Sequence, residues 1–409
     1  MHMSRVLLLL PTSTYRAADF MAAARSLGVE VVVGSEYPQA MASSMGERAA
    51  VVPMDDVDAA VDSIASLHER FPLDAVLAVD DGGALVAAAA SARLGKRHNP
   101  PDAVRATRDK AQMRARLAAS AVPQPRYRAL PGGSDTSFSA ETGAGVGYPC
   151  VVKPVSRSAS QGVIRADDPV ALHAAVERVR SLVGPDEQLL LESYVPGDEV
   201  AVEGLLDAGR LEVLAVFDKP DPLVGPYFEE TIYVTPSSHP RPTQQAVGRL
   251  VADAARAIGL TDGPVHAEVR IGEGDEMWVL EVAARSIGGL CSRALRFGAG
   301  ISLEELILRH AVGLGTGDLR RESQASGVMM LPIGQEGTLR AVNGLDSARS
   351  VPGVTGAEIT IPIGRPVVPL PEGDRYLGFV FARGQDPVEV AEALRQAESL
   401  ISVEIQPGS

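Results

Sequence analysis

The stretch His266-Ala-Glu-Val-Arg-Ile271, the turn Gly272-Glu-Gly-Asp275 and the run Met277-Trp-Val-Leu-Glu-Val282 carry the reading of the whole chain. Two apolar runs of strand length, separated by a glycine-containing turn, predict a β-hairpin. Each run is interrupted by one carboxylate, Glu268 or Glu281, and a carboxylate inside a strand core is costly unless paired or bound to a cation. Two of them on neighbouring strands suit Mg2+, which takes one or two protein carboxylates and fills its other positions with water and substrate phosphates. Solvent-facing positions on an alternating strand are the plainer alternative. The continuation Glu281-Val-Ala-Ala-Arg285-Ser-Ile-Gly-Gly289 favours the metal. It sets a planar guanidinium beyond the second carboxylate, beside paired glycines that let a ligand approach the backbone.

Upstream, residues 1–100 alternate strand-like runs (6–10, 29–33, 75–79) with helix-like ones (15–27, 57–71, 84–94). Such alternation predicts a parallel sheet with crossover helices. Pro11-Thr-Ser-Thr14 stands at a strand end, where α/β sheets bind ligands, but lacks the glycine spacing of a dinucleotide site. Asp80-Asp81-Gly82-Gly83 reads first as a helix cap and turn, and second as a ligand contact. His98-Asn-Pro-Pro101 breaks the alternation. Beyond it come helical stretches at 103–107 and 109–120, an extended segment at Pro123 and Pro125, and a loop at Pro131-Gly-Gly-Ser134. A strand at 149–154 carries Lys153, a helix at 171–182 and a strand at 188–191 follow, then a hairpin at 199–206 and 212–217 and a helix at 243–258. After Gly313 the composition shifts to Gly/Pro-punctuated strands, a helix at 387–400 and a short strand at 403–405.

The chain has 409 residues, 45% hydrophobic and 22% charged, enough apolar material for more than one core. Its net charge of −14, with no Lys/Arg block, excludes nucleic acid or an anionic membrane as the main partner, since both need a basic footprint. The early apolar run 6–10 is far below the roughly 20 residues of a membrane span. Cys150 and Cys291 lie far apart without CxxC spacing, which indicates neither a disulfide framework nor a thiolate metal site and predicts a cytoplasmic protein. Only four lysines occur, Lys96, Lys110, Lys153 and Lys219, so each needs a reason.

An ordered series of motifs supplies reasons for two of them. Asp109-Lys110 opens a helix; Val151-Val-Lys153-Pro154, the polar loop 156–162, Leu191-Glu192-Ser-Tyr-Val195-Pro-Gly-Asp-Glu199, Val265-His-Ala-Glu268 and Glu281 to Arg285 follow. This series resembles the ATP-grasp superfamily of carboxylate–amine ligases, from residue 109 to 285. The resemblance implies an α/β protein: a Rossmann-like pre-ATP-grasp domain over 1–100, an ATP-grasp fold of two α+β subdomains over 101–315 with its lid near 124–193, and a C-terminal α+β lobe over 316–409. From Ala325 onward the chain also resembles, more weakly, the extra lobe of ligases that form dipeptides.

The resemblance implies ATP with Mg2+ or Mn2+, and a role for each matching residue. Lys110 and Lys153 contact the nucleotide phosphates, and Ser156, Ser160 and Gly162 belong to the lid over them. Glu192, Tyr194 and Val195 form the hinge that reads adenine, with Glu192 at the exocyclic amine, and Glu199 binds ribose hydroxyls. Glu268 and Glu281 hold the metal. Arg285 holds a substrate carboxylate, with the Arg293 and Arg296 side as a second contact, and Arg285 with Lys153 does the catalytic work. Glu229 or Glu230 receives the substrate ammonium, unless that stretch is a solvated loop. His266 reads as a satisfied histidine behind the site. One departure is Ala283, where the family commonly has Asn.

The expected activity is an ATP-dependent ligation through an acyl phosphate, joining amino acids, or an amino acid and a small carboxylic acid, with release of ADP and phosphate. The alternatives are a carboxylase or purine-pathway ligase of the same fold, and a nucleotide-binding sensor without catalysis. Small molecules are the expected partners, in a cytoplasmic enzyme for which a homodimer is a common outcome.

Overall fold

The computed structural model describes residues 3–11, 14–37, 49–133 and 145–408. Thr12, Ser13 and Ser134, which fall in loops named above, lie outside them. The chain begins with a parallel sheet in the order β3-β2-β1-β4, formed by β1 (Arg5–Leu9), β2 (Glu30–Ser35), β3 (Ala49–Val51) and β4 (Ala75–Ala78). Strand β1 is apolar on both sides because each side meets a different core. Val6 and Leu8 pack with Phe20 of α1 (Ala17–Leu27), while Leu7 and Leu9 pack with Ala60 and Ile64 of α2 (Val57–Arg70) and Val86 of α3 (Asp81–Arg93). Burial on both faces is what a parallel sheet requires.

Two helices, α4 (Pro101–Arg108) and α5 (Lys110–Ala119), lead to a four-stranded antiparallel lid sheet in the order β5-β8-β6-β7. It comprises β5 (Tyr127–Leu130), β6 (Cys150–Pro154), β7 (Ile164–Ala166) and β8 (Leu189–Ser193), and α6 (Pro169–Val183) packs Leu172, Val176 and Val179 against it.

The centre is an eight-stranded antiparallel sheet in the order β13-β12-β9-β10-β11-β14-β18-β16. Its first half is β9 (Asp198–Asp207), β10 (Arg210–Asp218), β11 (Ile232–Thr235), β12 (Gly263–Ile271) and β13 (Met277–Ala283), with α7 (Arg241–Ile258) packed on one face. After α8 (Leu303–Ala311), β14 (Ala325–Leu331), β16 (Val354–Ile359) and β18 (Gly378–Gly384) continue the same sheet, covered by α10 (Pro387–Ser399). Strands β15 (Gly337–Asn343), β17 (Pro366–Val367) and β19 (Ser402–Gln406) form a small sheet beside it, with α9 (Leu345–Arg349) between β15 and β16. The expected division at 315/316 therefore falls between segments that share one sheet. The hydrogen-bond ladder of β11 with β14, Ile232 to Met329 through Thr235 to Ser326, runs across it.

Candidate active site

A cavity of about 500 Å3 opens where the lid sheet, the β12–β13 hairpin, the first strand ends and the segment before β18 converge. Glu268 and Glu281 face each other in register on β12 and β13, with a bulge immediately after Glu268. Directly opposed residues of an antiparallel pair point to the same face, with Cβ atoms about 5 Å apart. Both side chains line the cavity and are about three-quarters buried.

The phosphate-type cations come from two elements. Asp109 caps α5, accepting from the N–H groups of Ala111 and Gln112, and so fixes Lys110 in the first turn. Lys110 Nζ reaches the Arg157 carbonyl of the lid loop at 2.5 Å and Glu281 Oε1 at 3.5 Å. Lys153 projects from β6 and meets Glu192 Oε2 at 2.7 Å; Arg114, fully buried, meets the other oxygen at 2.5 Å and donates to the Val279 and Leu280 carbonyls of β13. Burial opposes a charged Glu192, but Arg114 and Lys153 overcome it and hold the carboxyl down at about 2. Burial lowers the Lys153 ammonium despite Glu192.

Glu192, expected at the adenine amine, is thus held between two cations, and its charge fixes the Lys153 side chain. Glu199, expected at the ribose, is paired likewise: its oxygens meet Lys219 Nζ at 2.5 Å and Arg270 Nε at 2.8 Å, and each carboxylate keeps further lone pairs as acceptors. Tyr194 uses its N–H on the Pro149 carbonyl, and its ring lies under Arg165 at 4.3 Å. Val195 lines the cavity, and among the described residues its N–H donates to no protein group.

In the lid loop, Ser156 and Ser160 line the cavity, while Ser156 Oγ donates to Glu187. Ala159 and Ser160 both hold positive φ, 54° and 55°, and form the centre of a tight turn closed by the Gln161 N–H on the Ser158 carbonyl at 3.2 Å. Gly162 is a correction. It lies off the cavity, and its N–H donates to the Pro371 carbonyl at 2.8 Å.

Lys219 is the residue that sequence reasoning missed. It is buried just after β10, and its Nζ binds Glu199, Glu230 and Glu268, the last at 2.8 Å. These three carboxylates keep it charged well above the ordinary lysine range despite burial. Its one signal was the scarcity of lysine. The carboxylates also sit close enough together to resemble a metal cage, but the ammonium already supplies their positive charge. Glu268 and Glu281 are the pair that could hold a divalent ion, since among the described residues the only ion pair of Glu281 is with Lys110 at 3.5 Å. Ala283, opposite His266, is buried off the cavity and adds no donor.

Behind the hairpin, Glu203 is fully buried and joins His266 Nδ1 at 2.6 Å to the Ile287 N–H at 3.0 Å. Burial would lower the His266 imidazole, but hydrogen bonds to Glu203 and Glu268 raise it to about 9. Arg285 lines the cavity with Nε on Asp81 Oδ2 at 2.8 Å and Nη1 on the Ser286 carbonyl. Asp80 precedes α3 without a side-chain cap bond, so the cap reading of that motif gives way to an ion pair made by its second aspartate. Arg293 and Arg296 are not brought to the cavity: Arg293 binds Asp19 and Glu358, and Arg296 binds backbone carbonyls. Of the two glutamates expected for an ammonium, Glu230 lines the cavity, held by Lys219, Tyr233 and Tyr376, and Glu229 does not.

Family models match as an ATP-grasp domain over 146–294, an L-amino acid ligase C-terminal domain 2 over 329–406, and an ATP-grasp N-terminal domain over 21–95. A D-alanine–D-alanine ligase of Gloeobacter violaceus is 32% identical over 213 residues, covering 49% of this chain and 67% of that protein. A formate-dependent phosphoribosylglycinamide formyltransferase of Thioalkalivibrio sulfidiphilus is 27% identical over 94% of this chain and 93% of its own. The crystal structure of an L-amino acid ligase from Bacillus licheniformis superposes with a TM-score of 0.81 at 24% identity, over 99% of this chain and 100% of that one. The chain belongs to the ATP-grasp superfamily of ATP-dependent carboxylate–amine ligases, enzymes that use ATP with Mg2+ or Mn2+.

Proposed function

We propose that this ligase joins two amino acids, activating the carboxylate of the first as an acyl phosphate. The observation that carries the reading is one cavity lined both by the cations Lys110, Lys153 and Arg157 and by Glu230, Tyr233, Ile287 and Met330, a set that suits a polyphosphate together with a small zwitterion. The L-amino acid ligase C-terminal model, which covers Met330 and Tyr376, supports it.

Lys110 and Lys153 face the polyphosphate, and Glu268 with Glu281 would hold the divalent ion, which supplies charge neutralisation at the transferring phosphoryl group. A donor carboxylate oxygen, held at Arg285, attacks the γ-phosphorus as ADP leaves. The acceptor nitrogen then attacks the acyl carbon, phosphate departs with the bonding pair, and the nitrogen loses a proton. Positioning and electrostatics suffice for this chemistry. In this reading Tyr194 and Val195, which line the cavity, contact the adenine, and Ser156 and Ser160 of the lid contact the phosphates.

No helix among the described residues is long and apolar enough to cross a membrane. Two buried free cysteines fit a cytoplasmic setting, and light scattering on the purified chain tests the homodimer. A phosphate-release screen over amino acids in pairs, with mass detection of the product, tests the function. ATP turnover dependent on one pair with formation of a dipeptide is the expected result. Turnover with bicarbonate or a phosphoribosyl amine, and with no amino-acid pair, overturns it.

A further inference from the structure

The cavity that Arg285 lines is also lined by Tyr15 of the N-terminal unit and by Asp374, Arg375 and Tyr376, from the segment 368–377 between β17 and β18. This segment is held from both sides. The Gly373 N–H donates to the Pro369 carbonyl at 2.8 Å, and a Cβ there would stand 2.1 Å from the Val368 carbonyl oxygen, so only glycine fits the turn. The Pro371 carbonyl accepts from the Gly162 N–H, the Glu372 carbonyl accepts from Gln161, and the Glu372 carboxylate holds Arg178 at 2.6 and 3.0 Å. At the other end the Tyr376 hydroxyl donates to Glu230 Oε2 at 3.2 Å. Arg375 therefore projects from a backbone tied to the lid on one side and to Glu230 on the other.

Among the described residues that line the cavity, Arg375 is, with Arg157, an arginine whose guanidinium has no hydrogen-bond partner. Arg16 is consumed by the Val79 carbonyl, Ser286 and Glu304, and Arg270 by Glu199 and two carbonyls. Arg285 is tied to Asp81, and Arg108 is drawn to the same carboxylate at 3.5 Å. Arg157 stands on the lid loop. Arg375 lines the cavity, is 50% exposed, and makes no hydrogen bond among the described residues; its one ion-pair contact is the neighbouring Asp374 at 3.7 Å.

The reading of the preceding section, on which this inference rests, assigns the other charges. A donor carboxylate at Arg285 has its ammonium one carbon away, and Glu230, which lines the same cavity and has an oxygen within 4.8 Å of one on Glu268, is a carboxylate that could share its Lys219 and tyrosine contacts with that ammonium. This leaves the acceptor. Its nitrogen must approach the acyl carbon, so its α-carboxylate, one carbon from that nitrogen, needs a cation other than Arg285, and Arg375 lines the same cavity. We propose that Arg375 binds the α-carboxylate of the acceptor and thereby selects amino acids over amines that lack a carboxylate. A guanidinium fork suits a carboxylate in two-point contact, and such a group left facing no partner penalises the uncharged analogue.

The test uses the full chain with ATP, Mg2+ and the donor found in the amino-acid screen, and compares kcat/KM for an acceptor amino acid with that for its carboxamide. Wild type should prefer the acid at least tenfold. Arg375→Ala should reduce that preference tenfold or more through KM for the acid, Arg375→Lys should restore part of it, and Arg375→Glu should favour the carboxamide. A merely structural arginine would change both acceptors together. Equal use of acid and carboxamide by wild type, or an unchanged ratio in Arg375→Ala, overturns the assignment and leaves the ligase reading intact. Absence of any amino-acid-dependent turnover in wild type overturns the ligase reading and this inference with it. If Arg375→Ala does not fold, Arg375→Gln carries the same comparison.

Discussion

Asp81 Oδ2 and Arg285 Nε lie 2.8 Å apart across 204 residues of sequence, joining the first turn of α3 to the segment after β13. Burial opposes a charged Asp81, but Arg285 and Arg108 hold its carboxyl below the ordinary range. The aspartate thus fixes the direction in which the guanidinium faces the cavity. Asp81→Asn should lower kcat/KM for the donor amino acid about 10- to 100-fold, the loss of about 1–3 kcal/mol expected when a charged hydrogen-bond partner is removed. Arg285→Ala should do more, with ATP affinity nearly unchanged in both. Loss of ATP binding instead would identify Arg285 as a phosphate ligand.

Glu281→Gln keeps the side-chain volume and removes the charge opposite Glu268. Turnover should fall below detection while thermal unfolding stays close to wild type, because the side chain is a quarter exposed and its ion pair is long. Excess chelator should have the same effect on the wild-type enzyme, and Mn2+ should restore activity. Full activity in chelator would show that no divalent ion is held at the hairpin.

Lys153→Ala should cost about 2–4 kcal/mol of transition-state stabilisation, the range for losing one preorganised electrostatic donor. Lys96→Ala, on the loop after α3, should be silent. Steady-state ATP kinetics of the two variants make the comparison, and equal effects would refute the phosphate role of Lys153.

Glu192 supplies a pH-dependent part of stability. Its carboxyl titrates at about 2 in the fold against the ordinary 4.5. The stabilisation is therefore complete above about pH 4.5 and is lost as the pH falls toward 2, in all on the order of 3 kcal/mol. Glu192→Gln leaves the fully buried Arg114 without its carboxylate and should destabilise by about 3–5 kcal/mol at neutral pH. The gap between variant and wild type should narrow in denaturation curves taken from pH 5 down to pH 3. A gap that is constant over this range would mean that Glu192 does not carry the charge.

The hairpin was legible because it is local. A short turn puts Met277 opposite Ile271, and the alternation of side chains then carries Glu281 to Glu268 with one bulge to absorb the mismatch. Lys110 was legible for a similar reason, since a capping Asp109 fixes its place on the helix. The ion pairs of Glu192 and Glu199 were not legible in the sequence. Their partners, Arg114 and Lys219, stand on other elements, and no spacing along the chain announces them.

The parallel N-terminal sheet and the carboxylate hairpin were set by sequence alone, because each follows from side-chain periodicity or a short turn, whereas β3, β11 and α8 were not read there. Only the tertiary structure decided which charges are spent and which remain for a substrate. The ammonium of Lys219 closes the three-carboxylate cluster, Asp81 takes one edge of Arg285, and Arg293 and Arg296 are drawn away from the cavity by acids and carbonyls of their own. The joining of β14 to β11 was likewise beyond the sequence. Strand partners far apart in the chain are chosen by the packing of whole faces, and an ion pair buried between two elements exists only once both faces have closed around it.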